Sequence, residues 1–173
     1  MRDMPTYQME ALAYHEGIPG HHMQRAITQE LEGIPDFQKY VSFTAYTEGW
    51  GLYAEELGKD MGFYSDPYSD FGRLAMELWR ACRLVVDTGI HAKKWTREKG
   101  IQYYTDNTPN AKADAIKMVE RHIVMPSQAT AYKVGMLKIL ELRQLAKTKL
   151  GEKFEIYQSL NKHIICRGLK LSQ

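Results

Sequence analysis

At 173 residues the chain has the length of one domain and can bury a single core. Hydrophobic residues make up 44% and charged residues 25%, ordinary globular usage that excludes a disordered or low-complexity chain. The 23 Lys and Arg are interspersed with 21 Asp and Glu, which excludes a basic stripe for nucleic acid or an anionic membrane. No apolar run approaches the ~20 residues of a membrane span, and the first residues carry no apolar core of a secretory signal, so the compartment stays open. Cys82 and Cys166 are too few for a disulfide framework, and Cys82 falls in an apolar helical pattern as a small core residue.

The pattern predicts helices nearly throughout, an all-α fold. A first helix runs from Tyr7 to about Ile18, and a second from His21 to Leu31 follows the break at Pro19-Gly20. Gly33-Ile34-Pro35 interrupts again, and a third helix extends from near Thr44 to Met61, with Leu52, Leu57 and Met61 facing inward. Asp66-Pro67 reads as an N-cap followed by proline at the first helical position. Phe71, Leu74, Leu78, Cys82 and Val85 then mark an apolar face continuing to about Thr88. Thr96 caps a helix reaching Tyr104, and Thr108-Pro109 starts another reaching Ile123. Pro126 opens a long helix on which Leu137, Leu140, Ala146 and Leu150 recur, stopped by Gly151, and Lys153 to Ile165 forms a last one. No alternating strand pattern and no fixed-period repeat is present.

Most of the chemical information lies in Tyr14-His15-Glu16-Gly17-Ile18-Pro19-Gly20-His21-His22, where three histidines accompany a carboxylate. A zinc hydrolase needs imidazole ligands and a nearby carboxylate to take a proton from water. The usual helical solution spaces two histidines four apart on one face, but here that position is Pro19. On an unbroken helix His15 and His21 would be rotated by about 240° and separated by about 9 Å of rise. Gly17, Pro19 and Gly20 permit a bulge or turn that brings His21 back towards His15. Spacing alone leaves two readings open, a metal site and a helix junction whose histidines cap ends.

Thr47-Glu48-Gly49-Trp50-Gly51-Leu52-Tyr53-Ala54-Glu55-Glu56 is the second informative stretch. Glycine costs a helix roughly 1 kcal/mol against alanine, and a helix that accepts two gains close approach of another element or room for a ligand. Glu48 lies far enough beyond His15 for a helix, a turn and a second helix packed alongside, so it can complete three protein ligands and leave a fourth position for water. Glu55 and Glu56 read as a solvated face, with Glu55 also placed to orient a ligand histidine. A di-iron bundle wants Glu-x-x-His pairs, and no histidine here has a glutamate three residues before it.

At these stretches, together with Trp79-Arg80-Ala81-Cys82-Arg83, Asp87-Thr88-Gly89-Ile90-His91 and Pro126-Ser127-Gln128-Ala129-Thr130-Ala131-Tyr132, the chain resembles the bacterial "domain of unknown function 885" family across about residues 5–156. Members of that family are regarded as zinc metallopeptidases related to the gluzincins. The resemblance implies one zinc ion held by His15, Glu48 and one of His21 and His22, with His21 favoured. It implies Glu16 as general base, Tyr132 and His91 as candidate donors to the oxyanion, and a peptide or small amide as substrate. It further implies that residues 1–156 are the C-terminal part of a longer helical protein, while 157–173 form an atypical tail. Surface left bare by a missing N-terminal region predicts self-association. The rival reading is a truncated helical scaffold or metal-binding module without activity of its own. Arg80, Arg83 and Asp87 suit an internal ion pair on one helix, with binding of a substrate carboxylate as the alternative, and His122 and His163 read as surface or junction residues.

Overall fold

The computed structural model describes residues 5–154. The helices are α1 (Met9–Glu16), α2 (His21–Glu30), α3 (Asp36–Tyr40), α4 (Thr44–Asp60), α5 (Pro67–Lys93), α6 (Arg97–Asn107), α7 (Lys112–Val124) and α8 (Gln128–Leu150), with single 3-10 turns at Thr6–Gln8 and Gly151–Lys153. No strand occurs among the described residues, so the fold is all-α. No helix among them is long and apolar enough to cross a membrane. The tail from Tyr157, the expected last helix beyond Phe154, His163 and Cys166 lie outside the described residues.

Local signals placed several ends correctly. The Asp66 carboxylate accepts the Tyr68 amide with Pro67 at the first helical position, and the Thr96 hydroxyl accepts the Lys99 amide. Other ends moved. α5 continues past Thr88 to Lys93, where Lys94 adopts a left-handed φ of 54° and the Trp95 amide closes on the Gly89 carbonyl. Thr108 does not start α7, because its hydroxyl bonds backwards to the Tyr104 carbonyl and finishes α6; α7 begins three residues beyond Pro109. The short α3 was not expected.

α4 is the central element. Trp50, Leu52, Tyr53 and Leu57 on it are fully buried and pack against Tyr132, Met136 and Ile139 of α8. The two helices touch backbone to backbone: a Cβ on Gly135 would lie 1.8 Å from the Ala45 carbonyl oxygen, and one on Gly49 would lie 2.5 Å from the Gly135 Cα. A second cluster joins α5, α6 and α7 through Trp79, Cys82, Val86, Ile101, Tyr104 and Val119, which confirms Cys82 as a core residue. Ala11, Tyr64 and Met76 fasten α1 to α5 and the loop between α4 and α5.

Two helices turn a different face inward from the one their large apolar residues mark. On α5, Phe71, Leu74, Leu78 and Val85 are exposed, and the buried face is Gly72, Ala75, Met76, Trp79, Cys82, Arg83, Val86 and Asp87. On α8, Leu137 and Leu150 are exposed while Tyr132, Gly135, Met136 and Ile139 face α4. Close backbone approach and aromatic packing decide the orientation, and both favour faces containing small or polar residues. In urea denaturation, Ile139→Ala should therefore cost about 2–4 kcal/mol. Leu137→Ala should cost under about 1 kcal/mol, and Gly135→Ala at least about 3 kcal/mol because backbone stands where the methyl must go.

Candidate metal centre

The His15–His21 segment is neither one helix nor a bulged one. α1 ends at Glu16, residues 17–20 form a bend with a cis Ile18–Pro19 bond, and α2 starts at His21. The Met23 amide bonds to the Gly17 carbonyl, and the buried Trp50 indole donates to the Pro19 carbonyl at 2.8 Å, which fastens the bend to α4. This break removes the rotation that an unbroken helix would impose, and the His15 and His21 rings meet edge to face with centroids 4.7 Å apart.

Glu48 comes to the same place from the first turns of α4. His15, His21 and Glu48 each offer a ligand atom, and these atoms all lie within 4.8 Å of one another. His15 is buried, and the other two are partly exposed, so the group opens towards solvent on one side. The His21 Nε2 and Glu48 Oε2 are 3.5 Å apart. His22, the alternative second histidine, is exposed on the outer side of α2 and is not in the group. Burial works to raise the Glu48 pKa, but the hydrogen bond and charge of His21, the Tyr132 hydroxyl and the charge of His15 outweigh it and leave the pKa below the ordinary carboxylate value.

Glu55 corrects the solvated-face reading: it is 1% exposed, and its Oε1 accepts the His15 Nδ1 hydrogen at 2.6 Å. A carboxylate only accepts, so Nδ1 carries the proton and the Nε2 lone pair faces the cluster. Glu56 is half-buried as well, its carboxyl pushed up by burial and by Glu77. Gly51, between Glu48 and Glu55 on α4, keeps the space open. A Cβ there would stand 2.7 Å from the His15 Nε2 and 2.8 Å from the His21 Cε1. Two imidazoles and a carboxylate are the donor set of three-ligand zinc sites, and a cradle cleared of side chain where their donors converge fits such an ion.

Tyr132 of α8 stacks on His15, with centroids 6.3 Å apart and planes 26° off parallel. Gln128, which sequence reasoning did not single out, donates to the Glu48 Oε1 at 3.3 Å and to the Tyr132 hydroxyl at 3.2 Å. Its position follows from the residue before it: Ser127 takes a left-handed φ of 68°, and its amide donates to the Asp87 carboxylate at 2.9 Å. Glu16 is exposed at the last position of α1, directly after His15.

His91 is not brought into the group. Its Nε2 lies 2.8 Å from the His122 carbonyl oxygen and 3.4 Å from Asp87, across that aspartate from the start of α8. The expected ion pair of Arg80 and Arg83 with Asp87 does not form, since Asp87 is turned to Ser127 and His91. His122 is not a surface residue: it is 2% exposed and its Nε2 is hydrogen-bonded to the Tyr104 hydroxyl at 2.7 Å. Burial, and then the charges of Arg83, Arg121 and His91, lower its pKa from 6.5 to about 4. The folded state thus binds this proton more weakly than the unfolded one, so the stability it contributes is complete above pH ~6.5 and declines as pH falls towards ~4. His122→Gln should remove on the order of 2 kcal/mol of the stability loss between pH 7 and pH 5, measured by urea denaturation at both.

The family model described as "Bacterial protein of unknown function (DUF885)" matches residues 1–158. The crystal structure of a "putative lipoprotein from Colwellia psychrerythraea" is 46% identical with a TM-score of 0.87, over 91% of this chain and 28% of that one. A "putative lipoprotein of unknown function from Shewanella oneidensis" is 25% identical with a TM-score of 0.84, over 92% of this chain and 29% of that one. The chain thus spans under a third of either relative's length. No curated protein matches it.

Proposed function

The chain belongs to that bacterial family of unknown function, and we propose that it carries the zinc centre of a metallohydrolase that cleaves a peptide or other amide bond. The observation that carries the reading is the convergence of His15, His21 and Glu48 around the space left by Gly51, with Glu55 fixing the His15 tautomer. His15, His21 and Glu48 would hold the ion, on the side of the group that is open to solvent. When bound, zinc supplies a Lewis acid and lowers the pKa of a water there towards ~7. Glu16, next in sequence to His15 and in contact with solvent, takes the proton from the attacking water and returns it to the departing amine. The Tyr132 hydroxyl, held by Gln128 beside Glu48, is the donor for the oxyanion that forms on the substrate carbonyl. His91 has a structural part in this reading, joining α5 to the end of α7 through the His122 carbonyl.

All three candidate ligands lie on α1, α2 and α4, so metal binding is proposed for this chain, while turnover is proposed for a protein of the relatives' far greater length. Elemental analysis after equilibration with zinc and removal of excess should give about one ion per chain. His15→Ala, Glu48→Ala and Gly51→Ala should each lose it while far-ultraviolet circular dichroism still reports the helices. Undiminished zinc in His15→Ala and Glu48→Ala would refute the ligand set. In the whole protein, Glu16→Gln should keep the ion and lose about 10²–10⁴ of the hydrolytic rate. Hydrolysis unaffected by that change would leave a metal-binding or scaffolding module as the function.

A further inference from the structure

Two arginines beside the cluster lack a counter-charge among the described residues. Arg73 meets Asp70 and Glu77, Arg97 meets Glu120, and Arg143 meets Asp60. Arg80 and Arg83, one turn apart on α5, form no ion pair with a carboxylate among the described residues. Arg80 donates to the Met76 carbonyl at 3.4 Å, and the Nε atoms of both are buried without a partner. Arg83 is 8% exposed. Both guanidiniums lie over the Tyr132 ring, with Cζ 5.9 and 4.9 Å from its centroid, and that ring is the one stacked on His15. Arg83 is buried one turn from the partly exposed Arg80, and an anion beside them relieves both their mutual repulsion and the poor solvation of the buried charge.

Arg80 also lines a cleft of about 290 Å³ between α1, α5 and α7. Leu12, Met76, Trp79 and Met118 supply apolar walls, and Arg80, Asp114 and Lys117 bring charged groups to its lining. Leu12 precedes His15 by one turn of α1, which places cleft and cluster along the same helix.

We propose that Arg80, with Arg83 behind it, receives the terminal carboxylate of a peptide whose apolar last side chain fills this cleft. The centre then removes residues from peptide C-termini. Cleavage rests on the hydrolase reading; carboxylate binding does not. The Tyr132 ring contacts both guanidiniums and His15, and an extended peptide advances ~3.5 Å per residue, so the bond placed at the cluster lies one or two residues before the carboxylate. Each cleavage consumes one water, the hydroxyl going to the acyl carbon and the proton to the departing amine, and releases an amino acid or a dipeptide. A planar guanidinium that accepts a carboxylate in two parallel hydrogen bonds suits this end of the substrate.

Calorimetric titration of the zinc-free chain separates binding from cleavage. The probes are N-acetyl-glycyl-phenylalanine, its C-terminal amide, and N-acetyl-glycyl-glutamic acid as its α-amide, which carries a carboxylate only on the side chain. The free acid should bind at least tenfold tighter than either amide. Arg80→Gln should abolish that preference with circular dichroism and zinc content unchanged, and Arg80→Lys should retain part of it. Equal binding of free acid and amide, no detectable binding of any probe, or an intact preference in Arg80→Gln would overturn the carboxylate site. Binding of the side-chain acid as tight as that of the free acid would overturn the C-terminal assignment. A chain that shows the preference but takes up no zinc would support the carboxylate site and refute the hydrolase reading.

Discussion

The buried hydrogen bond between His15 and Glu55 ties α1 to the middle of α4, and the geometry of the site is built around it. A 2.6 Å contact between an imidazole and a carboxylate that is 1% exposed holds one ring nitrogen and aims the other. His21 then reaches the first histidine only because the chain breaks after Glu16 and is fastened at Pro19 by the Trp50 indole. Glu48, Trp50, Gly51 and Glu55 all lie within two turns of α4. That helix therefore supplies the carboxylate, the anchor for the bend, the open space and the orienting acid.

The glycines of α4 show how packing and site share one element. Gly49 lets α8 approach until backbones touch, and Gly51 clears the opposite requirement, room beside two imidazoles. The approach of α8 delivers Tyr132 onto His15 and Gln128 onto Glu48, so the crossing that makes the largest core cluster also sets the surroundings of the candidate ligands. Electrostatics follow the same layout. His21 and the Tyr132 hydroxyl hold the Glu48 pKa below the ordinary carboxylate value despite its partial burial, and Arg80 and Arg83, without a carboxylate partner among the described residues, lie over the Tyr132 ring.

Features decided within a few residues were legible in the sequence. The Asp66 and Thr96 caps, the break at Pro19-Gly20 and the extent of α4 follow from local backbone chemistry, and Leu52 and Leu57 are buried as their spacing indicated. The proximity of His15, His21 and Glu48 was legible because histidines, carboxylates and misplaced helix glycines are rare enough together to point to one place. What failed was the choice of face on α5 and α8. Periodicity ranks a face by side-chain hydrophobicity, so Phe71, Leu74, Leu78 and Leu137 outweigh Gly72, Arg83, Asp87 and Gly135. The folded chain instead ranks faces by how closely partners approach and by polar groups that find each other across helices. His122 was misread for the same reason, since its partner Tyr104 lies 18 residues away, and of the two readings of Glu55 the solvated face failed while the contact with a histidine, His15, 40 residues away, is present.

Whether the three side chains around Gly51 hold a metal ion can be read from anomalous scattering at the zinc edge from zinc-soaked crystals of this chain. One strong peak should stand bounded by the His15 Nε2, His21 and Glu48, in the space next to Gly51. A peak elsewhere, for example on the exposed His22, or none at that position despite ordered side chains, would contradict that ligand set.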